Sequence, residues 1–222
     1  MRKYGNLVAT KKIWVGSQMQ RDDVPDNSVI DKIKKVAKRI LDILIALPAI
    51  IFFLPVLGII AIVIKIGDKG PVIFKQERTG KDGRPFTFYK FRTMKINADP
   101  FWASPKSGDD PRLIKMGKFL REYSLDELPQ LFNVLKGDMS IVGPRPLYVS
   151  QIAQFSDYHK KRLLVKPGLT GLSQIYGRSE LTKGSNLDLE VEYVRKQSFW
   201  LDIKIIFLTV WVVFRKKGVY EK

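Results

Sequence analysis

Two acids stand side by side at Asp126 and Glu127, within the run Arg121-Glu122-Tyr123-Ser124-Leu125-Asp126-Glu127-Leu128-Pro129-Gln130-Leu131-Phe132-Asn133-Val134-Leu135-Lys136-Gly137. Ser124 with Glu127 three residues on is a capping-box pattern, and Leu128, Leu131, Phe132 and Leu135 continue at helical spacing until Gly137 ends the helix. The spacing puts both carboxylates in the first turn of a helix, or just before it if Pro129 marks the first helical position. Free backbone N–H groups and the positive dipole end at such a place can hold a phosphate. A carboxylate there can attack it: Asp attack on phosphorus gives an acyl phosphate, and two adjacent acids can share a divalent cation that screens nucleophile from phosphate. The plainer reading is that the macrodipole alone favours acids at helix starts.

Phosphate chemistry needs cations close by. Arg121 precedes Asp126 by five residues, and Gly143-Pro144-Arg145-Pro146 brackets a guanidinium between two prolines that stiffen its backbone. Lys90 and Arg92 are alternate residues of an expected strand and project to one face. Lys166-Pro167-Gly168-Leu169-Thr170-Gly171 and then Gln174-Ile175-Tyr176-Gly177-Arg178 read as a loop too rich in Gly and Pro for regular structure. It carries the amide of Gln174, the phenol of Tyr176 and the guanidinium of Arg178, groups that can line a ligand pocket. The glycine spacing fits neither a Walker A loop nor a dinucleotide fingerprint. With no Cys there is no disulfide, thiolate metal site or Cys nucleophile, and the single His159 lacks a nucleophilic partner and reads as structural.

The elements that position these groups follow from how charge and apolar residues are distributed. The chain has 222 residues, 45% of them hydrophobic, with 39 Lys+Arg against 22 Asp+Glu and a net charge of +17. That is one domain with appendages, and its partner surface is expected to be anionic. Residues 43–64 carry no charged side chain, a helical length of roughly 33 Å and enough to match a bilayer core. Pro48 and Pro55 fall inside this run, so a bend is expected. Basic residues flank it on both sides, Lys32, Lys34, Lys35, Lys38 and Arg39 before and Lys65, Lys69, Lys75 and Arg78 after. A re-entrant helix that breaks near Pro48 or Pro55 keeps both clusters on one membrane face and is favoured over a kinked span.

Around the turn signal Gly80-Lys81-Asp82-Gly83 the sequence predicts a β-hairpin close to the membrane, with strands over 72–76 and 86–91. Asp110-Pro111 reads as the cap of a helix reaching Arg121. Phe199, Trp200, Phe207, Trp211 and Phe214, closed by Arg215-Lys216-Lys217, suit an amphipathic helix in the headgroup region, packed in part on the core. The expected fold is α+β and mainly helical: a re-entrant membrane helix, a small β-hairpin, a helical catalytic domain and a C-terminal interfacial helix. Its divisions are a polar arm over 1–30, the basic flank and membrane helix over 31–66, and a membrane-associated catalytic domain over 67–222.

Lys38-Arg39-Ile40-Leu41-Asp42, Tyr89-Lys90-Phe91-Arg92-Thr93-Met94, the Ser124 to Asn133 run above, Gly137-Asp138-Met139-Ser140-Ile141-Val142-Gly143-Pro144-Arg145-Pro146 and Lys166-Pro167-Gly168-Leu169-Thr170-Gly171 together resemble the bacterial sugar transferase family, over roughly residues 36–218. These are monotopic phosphoglycosyl transferases, and the chain is similar to their minimal catalytic form. The resemblance implies transfer of a sugar phosphate from a UDP-sugar to undecaprenyl phosphate with release of UMP, assisted by Mg²⁺, on the cytoplasmic face of the bacterial inner membrane. It implies Asp126 as nucleophile, Glu127 as its acidic partner and co-ligand of the metal, and Arg145 and Arg121 as phosphate-binding residues. No nucleic-acid partner is implied, and a homo-oligomer is compatible with the sequence. Leu54-Pro55 stands where some members carry Ser-Pro. Two other readings stay open: a membrane-anchored non-catalytic module binding nucleic acid or acidic lipid, and a glycosyltransferase that releases UDP.

Overall fold

The first helix, α1 (Val29–Gly67), is 39 residues long and lies along the rest of the chain; the computed structural model describes residues 29–99, 105, 107–176 and 183–215. Over residues 43–64 its sequence is apolar all round, so the surroundings decide which face is covered. Asp42, Ala46, Ile50, Leu57, Ile60 and Ile64 are buried at helical spacing, while Leu44, Leu47, Ile51, Phe52, Leu54, Ile59 and Ile62 on other faces are exposed. The buried residues join two apolar clusters. Ala46 and Ile50 pack with Leu131, Val134, Met139, Ile141, Val142, Tyr193 and Ile205. Leu57, Ile60 and Ile64 pack with Phe91, Ile114 and Leu120.

Polar contacts fix both ends of α1 to the same body. Lys38 Nζ lies 2.6 Å from Asp202 Oδ2, and Arg39 donates to the carbonyls of Val134 at 2.5 Å and Leu135 at 2.6 Å. Asp42 accepts from Ser140 Oγ and the Ile141 amide, each at 2.8 Å. At the far end Arg92 pairs with Asp68 at 2.5 Å. The helix runs through Pro48 and Pro55 as one element, so the expected break takes no form of an interruption. Both prolines lie on exposed faces of α1.

Strands β1 (Ile73–Thr79) and β2 (Pro85–Phe91) form the expected antiparallel hairpin, with Phe74 opposite Lys90, Gln76 opposite Phe88 and Arg78 opposite Phe86. These six side chains share one face. The expected helix from Asp110 starts later, as α2 (Gly117–Glu122), because Asp110 binds the amide and guanidinium of Arg112 and Leu113 bridges to Met94. A short 3-10 turn (Leu125–Glu127) leads into α3 (Gln130–Lys136), which ends at Gly137 with φ 95°, a value glycine tolerates.

Beyond it β3 (Ser140–Val142) pairs in parallel with β4 (Gly168–Thr170), a correction to the loop expected there. Added Cβ atoms at Gly143 or Gly168 would collide with the facing backbone; the glycines serve close approach. The chain then continues through α4 (Val149–Ile152), α5 (Asp157–Lys160), α6 (Leu172–Tyr176) and α7 (Lys183–Lys196) to α8 (Phe199–Phe214); α6 is a second correction, since Gln174, Ile175 and Tyr176, expected in the loop, lie instead on a helix. Helix α8 buries Asp202 and Ile205 while exposing Phe199, Trp200, Phe207, Trp211 and Phe214. It thus packs on the core and presents an aromatic face outward. Mainly helical, with one long apolar helix near its start and a small hairpin sheet, the fold agrees in outline with the sequence reading.

Candidate active site

Asp126 sits on the turn between α2 and α3. Ser124 before it is left-handed, with φ 55° and ψ 21°, and makes no side-chain cap, so the expected capping box does not form. The backbone closes the turn instead, Glu127 N donating to Ser124 O at 3.1 Å, and α3 starts only at Gln130, after Pro129. A left-handed serine is uncommon and costs on the order of 1–2 kcal/mol, so packing must hold it. The aspartate that follows is only 6% exposed.

Burial and the neighbouring Glu127 raise the Asp126 pKa to about 6, against the opposing pull of Lys90, Arg121 and Arg145. Those three cations come from three different elements. Lys90 projects from the inner face of β2, its Nζ 5.2 Å from the centre of the Phe74 ring. Burial lowers its pKa while Asp126 raises it. Asn133 of α3 fixes this strand in place by donating to Thr87 O at 2.7 Å and accepting from Tyr89 N at 3.1 Å, so the hairpin edge and the Asp126 turn are held at a set separation. Arg121 stands in the last turn of α2, and its Nε is buried without a hydrogen-bond partner.

Arg145 is presented by a backbone locked on both sides. Gly143 N donates to Thr170 O and Gly168 N to Pro144 O, each at 2.8 Å. The Arg145 amide donates to Glu190 Oε1 at 3.1 Å, and Arg162 Nη2 donates to the Arg145 carbonyl. Arg162 and Glu190 are themselves a buried ion pair at 2.6 Å, with side chains 2% and 5% exposed. By contrast the Arg145 guanidinium is half exposed and reaches Glu127 Oε1 at 3.2 Å, and that carboxylate raises its pKa. A fixed backbone carrying an open guanidinium is what bidentate phosphate contact requires.

The other sequence candidates fall elsewhere. Arg92 lies past the end of β2, buried, with its guanidinium committed to Asp68 and to the carbonyls of Pro71 and Asp68; it fastens the end of α1 and does not join the cations. Gln174 on α6 is buried, its Oε1 accepting from Ser173 Oγ at 3.0 Å, while Ser173 also donates to Glu190 at 3.2 Å. It therefore stands beside the support of Arg145, with its Nε2 lacking a partner. Tyr176 is exposed, and Arg178 lies outside the described residues. His159, expected to lack a serine partner, lies 3.1 Å from Ser156 Oγ and 3.0 Å from Asp188 Oδ1; that serine caps α5 by accepting from the His159 amide, a structural arrangement. Sequence reasoning missed Glu190 and Arg162, which carry no local signal, and Arg78, which it read only as part of the basic flank. The cross-strand register that puts Arg78 on the Lys90 face is not visible one strand at a time.

Among the described residues no group of three or more His, Cys, Asp or Glu gathers to ligate a metal. Asp126 and Glu127 offer two carboxylates, and the repulsion that raises the Asp126 pKa is what a shared cation relieves. Two carboxylates suit Mg²⁺, which keeps waters and takes further oxygens from substrate phosphates.

Residues 33–216 match the family model described as bacterial sugar transferase. The chain belongs to this family. Among relatives, it is 44% identical over 196 residues to the UDP-glucose:undecaprenyl-phosphate glucose-1-phosphate transferase of Escherichia coli (strain K12), covering 85% of this chain and 42% of that protein. It is 44% identical over 198 residues to the galactosyl transferase CpsE of Streptococcus agalactiae, covering 82% of this chain and 43% of that protein. The uncharacterized sugar transferase EpsL of Bacillus subtilis is 43% identical over 190 residues, covering 84% of this chain and 91% of its own length. The chain spans under half the length of the first two of these sugar transferases. The family match includes all but the first four residues of α1, the hairpin, the Asp126 turn and the Arg145 loop.

Proposed function

We propose that the protein transfers a sugar 1-phosphate from a UDP-sugar to undecaprenyl phosphate, releasing UMP, as the first membrane step of a lipid-linked glycan such as an exopolysaccharide, capsule or glycoprotein glycan. The observation that carries this reading is a buried carboxylate with a pKa near neutrality, ringed by Lys90, Arg121 and Arg145. A non-catalytic anion-binding module would gain nothing from placing an acid among its cations. The names of relatives, which specify UDP-glucose and undecaprenyl phosphate, support the choice of donor and acceptor.

In the first half-reaction Asp126 Oδ attacks the sugar-bearing phosphorus. The new Oδ–P bond forms as the bond from that phosphorus to the oxygen of the nucleotide phosphate breaks, and UMP leaves with the electron pair. An oxygen of the lipid phosphate then attacks the same phosphorus, the P–Oδ bond breaks, and Asp126 is regenerated as the lipid diphosphate sugar departs. Arg145 and Arg121 hold the phosphate oxygens, and Lys90 meets the charge that moves between nucleophile and leaving group; fixed electrostatics of this kind is the main requirement of phosphoryl transfer. Mg²⁺ held by Asp126 and Glu127 would supply further screening of the phosphate charge.

A monotopic placement on the cytoplasmic face of the plasma membrane fits the contacts of α1. Its two flanks touch one folded body through Lys38–Asp202 and Arg92–Asp68, whereas a crossing would separate them by roughly 30 Å of hydrocarbon. The outward apolar residues of α1 and the aromatic face of α8 then meet lipid, and the site opens where a soluble donor can meet a membrane acceptor.

The test is a panel of UDP-sugars assayed for UMP with and without undecaprenyl phosphate. One donor should give UMP in amounts equal to enzyme without acceptor and continuous release with it. Release of UDP in place of UMP would reject the reaction.

A further inference from the structure

Building on the donor reading above, we propose that Arg78 binds the phosphate that leaves with the nucleotide, making it a fourth cation of the substrate site. The hairpin register places it there. Arg78, Gln76 and Phe74 of β1 share a face with Phe86, Phe88 and Lys90 of β2, so Arg78 stands on the side that carries Lys90 towards Asp126. Backbone and ring contacts join it to the Arg145 loop: Thr79 N donates to Leu147 O at 2.9 Å, and the Arg78 guanidinium lies 3.6 Å from the centre of the Tyr148 ring. The Phe88 ring centre is 5.5 Å from the same guanidinium.

This arginine is poorly neutralised. Its Nη2 donates to the neutral Gln76 Oε1 at 2.8 Å, and its Nε is buried without a hydrogen-bond partner. Among the described residues no carboxylate pairs with it. Burial, with the charge of Arg145, brings its pKa down to about 10 in spite of Tyr148. A guanidinium set against aromatic rings beside other cations is stabilised in part by the rings, but an anion completes it.

Location separates its role from that of the other three. Arg78 meets the Lys90 face of the hairpin and the Tyr148 end of the Arg145 loop, rather than the turn that carries Asp126, and this is where the phosphate next to the attacked one is seated. The acceptor's phosphate enters at the same position in the second half-reaction, so the shared chemistry is a phosphate oxygen at the leaving-group seat.

Direct binding of UMP and of uridine to the full chain in lipid nanodiscs tests this, comparing wild type with Arg78→Met and Arg78→Lys. Loss of one charge-assisted contact should weaken UMP about 10- to 100-fold in Arg78→Met and less in Arg78→Lys, with uridine unchanged. If Arg78→Met does not fold, Arg78→Lys alone should still weaken UMP more than uridine. A rise in acceptor KM alongside the loss of UMP affinity supports the shared seat; a rise in acceptor KM with UMP affinity intact overturns the assignment. Equal losses for UMP and uridine, or none for either, also overturn it. A wild-type protein that binds no UMP would instead refute the nucleotide-donor reading itself, and the Arg78 assignment with it.

Discussion

Replacing Asp126 with Asn should abolish turnover and yet make the protein more stable at neutral pH. The carboxyl is 6% exposed, and its pKa is raised from 3.8 to about 6, first by burial and then by Glu127. Above pH 6 the folded protein holds a charge that the unfolded chain would carry at less cost. A shift of about 2 units at 1.36 kcal/mol each amounts to about 3 kcal/mol of lost stability. Asn resembles the protonated acid and removes this loss. For a chain of this size that is roughly 6–12 °C in unfolding midpoint. As pH falls through 6 towards 3.8, the folded wild type takes up a proton that the unfolded chain does not, so the gap between the two proteins should close. Thermal unfolding of both proteins in the same nanodiscs, at pH 7.5 and at pH 4.5, reads this directly. A variant that melts at or below the wild type at pH 7.5, or a gap equal at both pH values, would refute the burial argument.

The same carboxyl sets the pH dependence of the reaction: kcat/KM for the donor should fall about tenfold per pH unit below about 6, and a flat profile down to pH 4.5 would contradict it. Arg145→Ala should lower kcat/KM by about 10²- to 10³-fold with little change in unfolding midpoint, since its guanidinium is half exposed. Glu190→Gln leaves Arg162 buried without its counter-charge, which should cost about 3–5 kcal/mol by unfolding and should raise donor KM through Arg145, whose amide Glu190 holds. Chelation of divalent cations should stop turnover, and added Mg²⁺ should restore it, with the helical circular dichroism unchanged throughout.

Much of the site lay in short, local patterns. Asp126, Glu127, Arg121 and Arg145 could be picked out because each sits beside residues that shape the backbone around it: acids before a helix, or an arginine between two prolines. Lys90 followed from strand alternation, and the structure brings these five together. Arg92 obeyed the same alternation, but the strand stops at Phe91 and Asp68 captures the guanidinium. The capping box failed because Ser124 is left-handed, a choice made by packing between α2 and the turn that no residue spacing reveals. Non-local pairing was also out of reach. Three-residue strands carry too little periodicity to announce that Ser140–Val142 meets Gly168–Thr170. The Gly-Pro richness read as a loop is instead what lets those backbones touch. In α1 the apolar run was plain, but which face the protein covers depends on partners nearly a hundred residues or more away, Val134 and Ser140 among them.

Central to the account is a sugar phosphate carried transiently on Asp126. Mass spectrometry of peptides from protein incubated with its UDP-sugar, acceptor withheld, measures this most directly. A sugar-phosphate adduct is expected on the peptide bearing Asp126, formed with one UMP per protein and discharged when undecaprenyl phosphate is added. Continued accumulation of lipid product with no adduct on that peptide at any time would contradict it.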